Sequence, residues 1–127
     1  PFWQVPAGEV SAALITTLPE LASGLKGKST ISDYLFANVK EYFLEVSNGK
    51  PRSGPGAWEK IIWDIATIAW LSKGDSLVRS QVVDAPVLSN EGTWIRKPGR
   101  HPVRVAVSLD RKAIFDDLFI ALEQTDP

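Results

Sequence analysis

The stretch Ile61-Ile62-Trp63-Asp64-Ile65-Ala66-Thr67-Ile68-Ala69-Trp70-Leu71 decides how this chain is read. Its apolar residues fall on all sides rather than along one stripe, which predicts either a buried helix or a strand running into one. Two polar side chains interrupt it, Asp64 and Thr67. A carboxylate in such surroundings is expected to be buried, and an unpaired buried charge is costly. Asp64 then needs a cation, several hydrogen-bond donors or a raised pKa. Bound Ca²⁺ meets the need, because hard cations take carboxylate oxygens. The commoner arrangement is simpler: Asp64 caps the helix that follows by accepting backbone N–H bonds. Trp63, directly before it, is either core packing or, beside a cation, a platform for a flat aromatic ligand.

Upstream of this stretch, Phe2-Trp3-Gln4-Val5 is an apolar and aromatic run stopped by Pro6, as in a buried strand. Residues 8–14 and 19–25 predict short helical pieces bounded by Gly or Pro, with Pro19 suited to a first helical turn. A longer helix is expected over residues 30–46. Thr30 and Asp33 resemble a capping box there, and Ile31, Tyr34, Leu35, Val39, Tyr42 and Phe43 form one apolar face. Ser47-Asn48-Gly49 ends it, and residues 50–56 have the composition of a loop.

Downstream, Lys73-Gly74-Asp75-Ser76 makes a turn, and residues 77–83 and 87–88 have strand propensity. Asn90-Glu91-Gly92 is a hairpin-type turn before Thr93-Trp94-Ile95. Val103, Val105, Val107 and Leu109 alternate with smaller or polar residues, the pattern of a half-buried strand. Asp110 then caps a last helix carrying Ile114, Phe115, Leu118, Phe119 and Leu122. The mixture predicts an α/β fold, part of a layered sheet flanked by helices, with residues 1–127 belonging to one domain.

Composition narrows the function classes. The chain has 127 residues, 44 % hydrophobic and 23 % charged, with a formal net charge of -1, ordinary values for a globular protein. Its Lys and Arg residues are scattered, so no basic stripe tracks a phosphate backbone and nucleic acid is not an expected partner. The apolar run of residues 61–71 is too short to cross a bilayer. Without cysteine there is no disulfide framework, zinc-thiolate site or cysteine nucleophile. A single histidine, His101, rules out a His-cluster metal site and argues against a Ser-His-Asp triad. The chain starts at Pro1 and has no methionine, which reads as a piece of a longer protein.

The other polar candidates favour bland readings. His101 sits beside Arg100 in a loop bounded by Gly and Pro, where fixing the loop is commoner than shuttling a proton. Arg96, Lys97, Arg100 and Arg104 form a local basic group, expected to be solvated. Asp116 and Asp117 are neighbours on a helix and diverge, so they form no acid/base dyad. No P-loop, G-x-G-x-x-G, G-x-S-x-G or H-E-x-x-H pattern occurs.

Three stretches together resemble the inosine-uridine-preferring nucleoside hydrolase family. The run of residues 61–71 is similar to its C-terminal signature. Pro1-Phe2-Trp3-Gln4-Val5-Pro6 looks like the strand after the family's Glu-Phe-Asn segment. Arg100-His101-Pro102-Val103-Arg104-Val105, with Asp110-Arg111-Lys112-Ala113-Ile114-Phe115-Asp116-Asp117-Leu118-Phe119, looks like its last strand and helix. The resemblance spans almost the whole chain, roughly the last two-fifths of an enzyme of typical family size. It implies an open, mainly parallel sheet, hydrolysis of ribonucleosides to base and ribose, and a Ca²⁺ ion that holds the ribose hydroxyls and the attacking water. By the same resemblance Asp64 is a metal ligand and Trp63, in place of the histidine of another branch, stacks on the base, which leans the expectation towards purines. It also implies self-association and, most simply, a cytoplasmic setting, with a periplasmic or secreted one left open.

Other parts of the family pattern have no counterpart here. The N-terminal Asp cluster, with the general base and most calcium ligands, and the ribose-binding Glu-Phe-Asn segment both lie outside this sequence. After Val5-Pro6 the chain has Ala7-Gly8-Glu9-Val10 where the family often continues Leu-Asp-Val-Thr. One carboxylate cannot fill the roughly six to eight oxygen positions calcium takes, so the chain alone is expected to be inactive, its complement being an N-terminal part or a second chain. The rival expectation is a non-catalytic binding or assembly module that keeps the fold after losing the active site. A third, a general sugar- or base-binding domain, would use Trp63 or Trp94 as its platform. An edge strand at Trp3 and Val5 is expected to need covering by other sequence or a partner.

Overall fold

The computed structural model describes residues 2–46 and 59–125, and the loop expected over residues 50–56, like Trp58 and the stop at Ser47-Asn48-Gly49, lies outside them. The chain divides into two compact units, Pro1–Ala13 with Trp63–Asp110, and Leu14–Ile62 with Arg111–Pro127. Strands and helices occur in mixed order, and the sheets are open and small.

The first unit is built on a three-stranded sheet. Strand β1 (Phe2–Gln4) pairs in parallel with β7 (Pro102–Leu109), which pairs antiparallel with β4 (Val78–Asp84). The sheet is therefore mixed, and the mainly parallel arrangement expected from the resemblance is not what these residues form. The same strand, β7, takes a parallel neighbour on one side and an antiparallel one on the other. Register adds a second feature. Ser80 lies opposite Ala106 and Arg79 opposite Ser108, so β7 carries one extra residue, Val107, in a bulge. The outer edge of β1 has no strand beside it among the described residues.

A helix, α3 (Ile65–Lys73), buries Ala66, Ala69 and Trp70. The Trp70 ring lies 4.6 Å from that of Trp3 on β1. Gly74 at φ 60° stops the helix, in the left-handed region that glycine enters at no steric cost. A two-stranded hairpin, β5 (Val87–Leu88) and β6 (Trp94–Ile95), turns through Gly92 as its sequence predicts. The Val10, Val78, Ala85, Val103 and Ala106 side chains complete the buried apolar set.

The second unit packs three helices, α1 (Leu18–Leu25), α2 (Thr30–Val46) and α4 (Arg111–Glu123), beside an antiparallel pair, β2 (Ile15–Thr17) and β3 (Glu59–Ile61). Leu14, Leu21, Leu25, Phe43, Ile114 and Phe115 are its buried apolar residues. Helix α1 starts as expected: Thr17 accepts a bond from the Glu20 N–H and Pro19 sits in the first turn. Gly24 lets α1 meet α4 closely, since a Cβ there would stand 2.5 Å from the Phe119 ring.

Helix α2 has the expected bounds but a different start and a different buried face. Ser29, not Thr30, closes its first turn: its hydroxyl accepts the Ser32 N–H and its carbonyl the Asp33 N–H. Asp33 instead accepts the Gly27 N–H. Ser32 and Phe43 are buried while Ile31, Tyr34 and Tyr42 are exposed, because the Ser29 hydroxyl, which donates to the Leu122 carbonyl, also shares a hydrogen bond with the Ser32 hydroxyl and draws the polar edge of the helix inward. Strand β2 had no counterpart in the sequence expectation. Among the described residues, no helix is long and apolar enough to cross a membrane.

Candidate functional site

The two residues singled out by sequence lie side by side at the start of α3. The peptide leaves β3, and Trp63 and Asp64 precede the first helical residue, Ile65. Both are exposed, Trp63 to 42 %. The expected burial of Asp64 is thus overturned. Only Ala66, Ala69 and Trp70 turn inward from this helix, while Ile68 and Leu71 stand out at 65 % and 69 %. An apolar sequence on all sides here marks a helix with one face uncovered, so the desolvation argument for a compensating cation does not apply to Asp64 in this setting.

The capping alternative is not realised either. Asp64 occupies the N-cap position with φ -77° and ψ -23°, and its side chain makes no capping bond. Side-chain capping needs an extended residue that aims its oxygen back at the first N–H groups. A helical Asp64 contributes only its carbonyl, which accepts the Thr67 N–H at 3.2 Å. The carboxylate therefore faces solvent without a hydrogen bond from a described side chain.

For calcium the fit is incomplete. Asp64 offers up to two oxygens of a shell of about six to eight. Among the described residues no group of three or more His, Asp or Glu side chains could hold a metal ion.

The remaining sequence candidates separate. His101 is exposed, and among the described residues only its backbone carbonyl is engaged, accepting the Ala85 N–H. Arg104 leaves the basic group to pair with Asp75 at 3.2 Å, bond Ser80 and lie over the Trp3 ring. Asp116 pairs with Lys112.

Two features escaped the sequence. Trp70 is 2 % exposed, yet its indole N–H has no hydrogen-bond partner. The second is a polar knot in the other unit. Arg111 donates to the Ile15 carbonyl and to the Glu20 carboxylate, each at 2.6 Å, and Thr16 donates to the same carboxylate oxygen. Burial pushes the Glu20 carboxyl upward, but the bonds from Arg111 and Thr16 and the Arg111 charge outweigh it and hold the group below its ordinary value. Thr16 and Glu20 are close in sequence, but Arg111 is too far away for any local pattern to pair it with them.

A cleft of about 900 Å³ opens in the same unit as Trp63 and Asp64 but is lined by other residues, among them Trp94, Arg96 and Lys97. The chain matches no protein-family model and no curated protein.

Proposed function

We propose that this chain is the C-terminal portion of a calcium-dependent ribonucleoside N-glycosidase that leans towards purine nucleosides. The observation that carries the reading is the pairing of an exposed indole, Trp63, with an exposed, uncapped carboxylate, Asp64, at one helix start. Each is left open for a ligand, and the pair stands in the stretch that resembles the family signature. In this reading the Trp63 face stacks on the base and fixes its orientation while the glycosidic bond breaks. Asp64 supplies carboxylate oxygen to an ion whose other ligands, like the general base, come from outside this chain. The sheet would continue past the open edge of β1 with strands from the same source. A cytoplasmic setting and self-association go with the reading.

The test is single-turnover release of hypoxanthine from inosine, with calcium, by the complete protein that contains this chain. Turnover that is abolished by Asp64→Asn, and reduced about tenfold or more by Trp63→Ala as expected for a lost stacking partner, is the expected result. A complete protein that releases no base, or one whose turnover survives Asp64→Asn, defeats the reading and leaves a binding or assembly module as its successor.

A further inference from the structure

The cleft beside β5 and β6 has a chemistry of its own, separate from Trp63 and Asp64. Its floor is one face of the three-stranded sheet: the register aligns Gln4 with Val105 and Val105 with Gln81, across all three strands. One wall is the chain after β1, which includes Glu9. The other, beyond β4, carries Trp94 and the loop bearing Arg96 and Lys97. Trp94 is 63 % exposed, a large apolar surface left in water at the mouth of a cavity.

The lining carries two carboxylates, Glu9 and Asp84, and two cations, Arg96 and Lys97, so their placement rather than net charge decides what would fill it. The carboxylate of Asp84, also in the lining, is engaged by the Gly99 N–H at 3.1 Å and so holds the loop after β6 in place. Arg96 and Lys97 have no acidic partner among the described residues, in contrast to Arg104, which is paired with Asp75. Two unpaired cations two and three residues beyond an exposed indole match an anionic group attached to a flat ring, with the guanidinium suited to a planar or tetrahedral oxyanion. Glu9 on the other wall disfavours a second anionic group there. The volume lies within the range of about 300–1,000 Å³ typical of small-molecule sites.

We infer that this cleft binds a small aromatic ring bearing a single oxyanionic substituent, an aryl phosphate or aryl carboxylate, with Trp94 against the ring and Arg96 and Lys97 on the oxyanion. The test uses 1-naphthyl phosphate and 1-naphthoate with the full chain, read by calorimetry and by amide shifts in isotope-labelled protein. The neutral 1-naphthalenemethanol and inorganic phosphate serve as half-ligands. The expected result is one-to-one binding of at least one aryl anion, with shifts clustered at residues 94–98, and weaker binding of both half-ligands. The double variant Arg96→Ala/Lys97→Ala, and separately Trp94→Ala, each weaken it about tenfold or more, as loss of charged hydrogen bonds or of a stacking partner predicts. Trp94→Phe keeps most of the affinity, and the exposed control Lys40→Ala keeps all of it. Absence of binding by both aryl anions at millimolar concentration overturns the assignment. So does equal binding of the neutral alcohol, retention of affinity in the double variant, or capture of an acidic peptide at this cleft in place of the aryl anions.

Discussion

The two units treat their buried polar groups in opposite ways. In the helical unit, Ser29, Ser32 and the Leu122 carbonyl satisfy one another, and Arg111 ties the Ile15 carbonyl to Glu20 and Thr16. In the sheet-based unit a tryptophan N–H is buried with no partner, and three further tryptophans, Trp3, Trp63 and Trp94, are each more than two-fifths exposed. The helical unit exposes aromatic surface too, at Tyr34 and Tyr42, so the contrast lies in the buried groups: one region closes its own hydrogen bonds, and the other keeps a buried donor unmatched. The difference teaches where ligands or further chain would be received, since surface left unmatched is stabilised only by something added to it.

The sharpest challenge to this contrast is at Trp70. Trp70→Ala should cost about 3–5 kcal/mol in urea unfolding, the range for a large buried aromatic. Trp70→Phe removes the unmatched donor and should cost only a small part of that. If both variants lose the same stability, the N–H is matched in solution and the contrast between the units weakens.

The helical unit offers the next test. Arg111→Met keeps an apolar stem but removes the donors to Ile15 and Glu20, and should cost about 2 kcal/mol. A loss indistinguishable from zero would reduce the knot to a surface ion pair.

Acid supplies a smaller effect on the same knot. Because the folded Glu20 value lies below the unfolded one, its ionised form contributes stability above the unfolded value, and that contribution fades as pH falls through the folded value. The stability difference between the parent and Glu20→Gln should be level near neutrality and shrink in acid. A difference that grows with acidification would contradict the cause assigned to Glu20.

Smallest of all is Asp64→Asn, which should change stability by less than about 0.5 kcal/mol because the side chain is exposed and uncapped. A substantial loss would mean that Asp64 is held by contacts in solution, and any fall in turnover could then be ascribed to folding.

Much of the fold was legible in local pattern. The bounds of α2, the strand at β7, the hairpin turn at Gly92 and Pro19 in the first turn of α1 all follow from short-range chemistry. The expected alternation of β7, by contrast, breaks at the bulge, where Val107 is exposed and Ala106 is buried. The environment of Asp64 was not legible, because an apolar neighbourhood in sequence does not say which helix faces are covered in space. The cap at Ser29 was hidden for a related reason: its hydroxyl serves both α2 and the distant Leu122 carbonyl. The Arg111–Glu20 pair spans most of the chain, and mixed pairing of the sheet depends on which strands meet rather than on any one strand. Trp94, Arg96 and Lys97 were each visible as residues, but only the fold groups them around a cleft.

The extra residue in β7 has an evolutionary meaning. Side chains in a strand alternate, so adding or deleting one residue ordinarily turns everything beyond it inside out. Here Val78 faces Leu109 and Ser80 faces Ala106, and the bulge absorbs the odd residue between them. Removing Val107 would straighten the ladder while leaving Ala106 and Leu109 on the side they already occupy. This point in the chain is thus a place where a single codon can be gained or lost without rewriting the pattern on either side.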